Sequence, residues 1–78
     1  MEDDRRARLL KLQRMEATEA EVYRRLARMQ KDQVNRSILE GISLEEERHE
    51  AVIAGMTGEK VRPDMRNCLL YTSDAADE

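Results

Sequence analysis

Two long stretches of the chain carry apolar residues at alternating spacings of three and four. Both are interrupted at mid-length by groups that can ligate a metal. In the first stretch Leu9, Leu12, Glu16, Glu19, Tyr23 and Leu26 define one helical face, and Met15, Val22 and Met29 widen it on its flank. In the second the face reads Leu39, Ile42, Glu46, His49, Ile53 and Met56, with Ile38 and Val52 beside it. Residues 3–29 contain no Gly and no Pro and are rich in Ala, Leu, Arg, Glu and Met, which predicts a helix over about 4–29 with Asp3 or Asp4 as its cap. Lys31 and Asp32 form a break, and Asp32 is the expected N-cap of a second helix over about 33–56. Thr57-Gly58 is a stop signal, because Gly58 can take a left-handed conformation. Pro63 restrains Arg62 from helix, so Val61 to Asp64 reads as an extended exit. Gly41 costs about 1 kcal/mol inside a helix, and close approach of the neighbouring helix is the expected reason for it.

Two helices with a short connection lie antiparallel. The fold class is therefore all-α: an antiparallel two-helix hairpin over residues 1–64, followed by a disordered tail over 65–78. With the turn at Lys31 and Asp32, positions whose numbers add to about 62 share a level. Glu16 then faces Glu46, Leu9 lies near Ile53, and Tyr23 lies near Leu39. The two polar interruptions meet, with apolar layers above and below.

Composition narrows the reading. A chain of 78 residues makes one small domain, with a limited core that often needs a metal, a disulfide or a partner. With two Tyr, no Trp and no Phe, that core must come from aliphatic residues, Met and Ala. Charged residues make up 40% of the chain with both signs interspersed, which suits solvated helix faces and argues against a nucleic-acid surface. No apolar run approaches the length of a membrane span, and the N-terminus lacks the apolar segment of a secretory signal. The single cysteine, Cys68, cannot form an internal disulfide, so a reducing, cytoplasmic setting is the expectation.

Glu46-x-x-His49 puts a carboxylate and an imidazole on one helix face. Glu46 can bridge two metals through its two oxygens, His49 can bind one of them, and Glu16 can add a terminal carboxylate from the facing helix. A complete di-iron carboxylate centre in a four-helix bundle takes a Glu from each of two helices and a Glu-x-x-His from each of the other two. This chain supplies one of each, half a site. Oxygen-rich ligation with one imidazole per metal suits Fe, or Mn, better than structural Zn. Glu19 is a further ligand, a supporting group or a carboxylate on the access path. Tyr23 either hydrogen-bonds a ligand or packs in the core. Glu45, Glu47 and Glu50 read as solvated charges, with Arg48 available for local pairing. A Glu-x-x-His pair alone is common by chance. The competing reading is a helical-hairpin protein-interaction module that binds no metal. What favours a metal is the shared level of Glu16 and Glu46, since burying two unpaired carboxylates costs several kcal/mol.

With these residues in place, the sequence resembles the ferritin-like superfamily and, within it, the rubrerythrin-type di-iron domain. The likeness rests on Glu16 with Tyr23 seven residues later, and on Glu46-x-x-His49 in the next helix. It is nearer still to the N-terminal ferritin-like domain of vacuolar-iron-transporter-type proteins, through LQRMEATEAEVYRRLA, the Asn35 to Leu39 segment and the Thr57 to Pro63 exit. The resemblance covers roughly residues 8–64 and implies half of a ferritin-like four-helix bundle that binds Fe(II). It also implies iron oxidation or peroxide detoxification, or iron collection for a transporter. Activity as a ferroxidase or peroxidase is expected of a longer parent, and the chain alone is expected to be inactive. The family's domain continues with a second helix pair, and in the transporter type with a membrane domain; neither is in this sequence. A homodimer, or the missing helix pair, would complete the ligand count. Where such domains often carry an aromatic residue after the histidine, this chain has Glu50.

The last eleven residues, CLLYTSDAADE, continue no periodicity and resemble the conceptual translation of a transposase adapter used in making sequencing libraries. On that likeness residues 68–78 are not native, and the natural protein is expected to continue past Asn67. Setting them aside removes Cys68 and Tyr71 from functional arguments. It also takes Asp74, Asp77 and Glu78 from the 17 acids, leaving 14 against 14 bases, so the remainder is neutral.

Overall fold

The computed structural model describes residues 2–69; most of the adapter-like tail, 70–78, lies outside the described residues. Helix α1 (Glu2–Met29) and helix α2 (Gln33–Thr57) pack side by side as an antiparallel hairpin. The architecture is all-α, as the periodicity predicts, and among the described residues no helix is long and apolar enough to cross a membrane.

The ends follow the local chemistry. The Asp32 carboxylate accepts from the Val34 N–H at 2.9 Å and caps α2. Gly58, at φ 70°, takes the left-handed conformation, and its N–H donates to the Ala54 carbonyl at 2.8 Å. Arg36 reaches back to donate to the carbonyls of Ala27 and Gln30, satisfying acceptors at the end of α1. At the other end, α1 begins at Glu2, so Asp3 and Asp4 sit inside the first turn instead of capping it. Acids there still complement the positive end of the helix dipole.

The buried residues of the hairpin are largely small and polar, with Ile53 of α2 and Val22 of α1 as the larger apolar members. Ala20 and Ala27 are buried on α1, and Ser43 is buried on α2, donating from its hydroxyl to the Ala20 carbonyl at 2.8 Å. Gln13, fully buried, holds the other end of the seam. Its amide donates to Glu50 Oε2 and to the Glu59 carbonyl, both at 2.8 Å, and its Oε1 accepts from the Thr57 hydroxyl at 2.7 Å. Glu50, expected as a solvated charge, is thereby half-buried as an acceptor. The numbers of Ala20 and Ser43, and of Gln13 and Glu50, each add to 63, within one residue of the expected level. Gly41 corrects a second expectation: a Cβ there would meet nothing within 4 Å, so close helix approach does not explain it. The close approach is at Ala20 and Ser43.

Beyond Gly58 the chain runs back along α1. Arg6 donates to the Thr57 carbonyl at 2.8 Å and pairs with Glu59 at 3.0 Å. The Thr18 hydroxyl accepts from the Asp64 N–H at 2.8 Å and donates to the Arg14 carbonyl at 2.7 Å. The tail expected to be disordered from residue 65 begins instead with a helical turn over 65–69. Asp64 caps it, accepting from the N–H groups of Arg66 and Asn67. Cys68, buried, points its thiol at the Thr18 carbonyl, 3.7 Å away, and burial pushes that thiol's pKa up.

Candidate metal centre

Glu16, Glu46 and His49 meet across the two helices. His49 Nδ1 lies 3.3 Å from Glu16 Oε2 and 3.5 Å from Glu46 Oε1. One ligand atom from each of the three lies within 4.8 Å of the others. Helical spacing accounts for the first contact, since Glu46 and His49 are three residues apart on α2. The antiparallel register accounts for the second, because it brings Glu16 of α1 to the same level. Among the described residues this is the group of acids and histidine so placed.

The donor set fits a divalent cation. Oxygen and nitrogen ligands about 2.1 Å from an ion in tetrahedral or octahedral array stand roughly 3.0–3.4 Å apart. The two contacts of His49, 3.3 Å and 3.5 Å, lie at or just above that spacing, and the three ligand atoms stay within 4.8 Å of one another. The carboxylates are well covered, with side-chain exposures of 17% for Glu16 and 15% for Glu46, whereas His49 is 56% exposed. The centre is therefore floored by carboxylates in the hairpin and open on the histidine side.

Glu19 joins the cluster from one turn further along α1. Its carboxyl is held above the usual carboxylate range, first by the hydrogen bond it shares with Glu46, then by burial and by the Glu46 charge, with His49 opposing. A protonated Glu19 donates to the Glu46 carboxylate. Glu19 itself is exposed and lies outside the group that comes within 4.8 Å, so the expected fourth ligand is not brought together with the other three. Tyr23 is half-buried beside Glu19 in an open groove with Met15, Val22 and Leu26, bounded by Asp64 and Asn67 of the exit. Among the described residues no hydrogen bond joins its hydroxyl to Glu16 or Glu19, so packing is the role the structure gives it.

The remaining acids near His49 are engaged elsewhere. Glu45 pairs with Arg48 at 3.0 Å along α2, and Glu47 pairs with Arg24 across the hairpin. Gln13 is the residue that pattern-reading misses. A buried amide between two charged helices carries no periodic signal, and only its contacts reveal its role. No family model matches the chain, and no curated protein or solved structure matches it.

Proposed function

We propose that this chain is a metal-binding helical hairpin, half of a ferritin-like di-iron carboxylate domain that takes Fe(II), with Mn as the other candidate metal. The observation that carries the reading is the convergence of Glu16, Glu46 and His49 from two helices at ligand spacing. Glu46, which lies 3.5 Å from His49 and shares a hydrogen bond with Glu19, is the bridging candidate. Glu16 binds terminally, His49 binds through Nδ1, and Glu19 adds a carboxylate beside Glu46. When bound, the iron supplies one-electron redox chemistry with oxygen or peroxide. The chain's own residues hold it and set its charge. One hairpin contributes two or three carboxylates and one imidazole, so it collects or holds iron, and turnover belongs to an assembly with the full ligand set. In a transporter-type parent this would be the part that gathers iron.

Anaerobic Fe(II) titration by calorimetry tests the assignment. Glu46→Ala and His49→Ala should abolish binding, while Glu47→Ala, which loses only its pair with Arg24, should keep it within about threefold, since exposed pairs contribute little. Equal losses in all three variants, or no binding by the parent chain, would remove the reading. The second reading, an interaction module without metal, draws on the exposed Ile38, Val52 and Met56 of α2. It predicts a helix-binding hairpin indifferent to iron.

A further inference from the structure

Pairing inside the hairpin uses up its charges unevenly. Arg6, Arg24, Arg25, Arg36 and Arg48 are each held by a carboxylate or a backbone carbonyl. Arg5, Arg8, Lys11 and Arg14 are exposed, and among the described residues their side chains make no ion pair or hydrogen bond. They stand three residues apart, so they form a row about 14 Å long on the first half of α1. A second row runs beside it, four residues on from each of the first three cations: Leu9, Leu12 and Met15. Leu9 is half-buried, while Leu12 and Met15 are 42% and 48% exposed. The helical step sets this apolar row between the cations and Gln13, which faces α2. The stretch of α2 alongside, tied to Arg6 and Gln13 at Thr57, is 51–58, which carries no charge and exposes Val52 and Met56. Asp4, which shares a shallow hollow with Arg5, Arg8, Leu9 and Leu12, offsets one of the four cations.

Unopposed cations beside exposed aliphatic side chains suit a helix lying in the plane of an anionic membrane surface. The Arg and Lys stems run along the apolar row while their heads reach the acidic groups of the lipids. An acidic partner helix would match the charges too, but it needs a groove. The groove on α1 beyond this point is lined by Glu19 and Asp64 as well as by Lys11 and Arg14, so an acidic helix seated in it gains little. We propose that the first half of α1 docks on an anionic lipid bilayer through these two rows. The formal net charge of the chain is −3, so the attraction comes from this row and not from the molecule as a whole. Docking of this kind needs no metal.

Co-sedimentation of the full chain with vesicles tests it, comparing pure phosphatidylcholine with phosphatidylcholine that contains about one-third phosphatidylserine. Binding is expected to the anionic vesicles alone, and it should weaken steeply as salt rises to about 0.5 M. A cation at such a surface is worth about fivefold in partition, so Arg8→Gln together with Lys11→Gln should weaken binding about 25-fold. Arg28→Gln together with Lys31→Gln removes the same charge at the far end of the hairpin and should cost less than about threefold. Met15→Gln keeps every charge and should still weaken binding about threefold, because apolar burial adds to the attraction. Circular dichroism should show every variant as helical as the parent. No binding to either vesicle, or equal binding to both, would overturn the proposal. Equal losses in the two double variants would reduce the effect to net charge, and an unaltered Met15→Gln would reduce it to adsorption of charge alone; either result removes the docking face. Capture by polyglutamate without vesicle binding would assign the cations to an acidic chain and overturn the lipid assignment.

Discussion

Glu16, Glu19 and Glu46 crowd around one imidazole, so the metal-free cluster carries surplus negative charge, and Glu19 is where it is relieved. Its carboxyl holds a proton above the usual carboxylate range because it donates to Glu46 and is partly desolvated. The folded chain therefore binds more protons than the unfolded chain between the ordinary carboxylate pKa and the raised one. Metal-free stability should fall as pH rises through that window, and be free of the penalty below it. Glu19→Gln mimics the protonated acid, so at pH 7 it should melt above the metal-free wild type, with the difference vanishing as pH drops below the usual carboxylate range. A difference constant across pH would mean that Glu19 gains nothing from its proton. The meeting of Glu16, Glu46 and His49 was legible in the sequence because Glu and His are conspicuous inside an apolar stripe at helical spacing. Glu50 was not, since an acid's role as acceptor for a buried amide depends on neighbours from another element.

At the scale of elements, a seam of largely small and polar residues explains both the close helix contact and its low visibility. Asp32, Gly58 and the helix spans could be read from local chemistry, because caps and stops act within a few residues. The face used for contact could be read only in part: Ile53 of the apolar stripe is buried, whereas Gln13, Ala20 and Ser43, which complete the contact, carry no apolar signal. Gln13 carries the greatest share of this seam's polar order, joining α1 to α2 at Glu50 and to the exit at Thr57 and Glu59. Gln13→Ala leaves a buried hydroxyl donor and a carbonyl without their partner, which costs about 2 kcal/mol. Urea denaturation should show that loss, whereas Arg48→Ala, which breaks only an exposed pair with Glu45, should change stability by less than about 0.5 kcal/mol. Equal costs would mean that Gln13's hydrogen bonds are replaced by water. The helical turn after Asp64 rests on the same clamp, since Arg6, Gln13 and Thr18 all hold the exit against α1.

For the whole molecule, a single layer of two helices has too little interior to be stable alone, so its stability should be tied to whatever covers the open flank. If that cover is a second copy, unfolding releases two chains, and mass action makes the melting temperature depend on concentration. A tenfold rise in chain concentration adds about 1.4 kcal/mol per dimer. Spread over the unfolding entropy of two chains of 78 residues, that shifts the midpoint upward by about 3–6 °C. Fe(II) at about a hundred times its dissociation constant should add about 2.7 kcal/mol more through binding to the folded state. Thermal melts followed by circular dichroism over a tenfold concentration range would measure both effects, and Val52→Lys should abolish the first. A sharp metal-free transition at the same temperature throughout the range would show that the hairpin stands alone. In that event the apolar flank would contribute nothing to folding, and the seam at Gln13, Ala20 and Ser43 would have to supply the stability unaided.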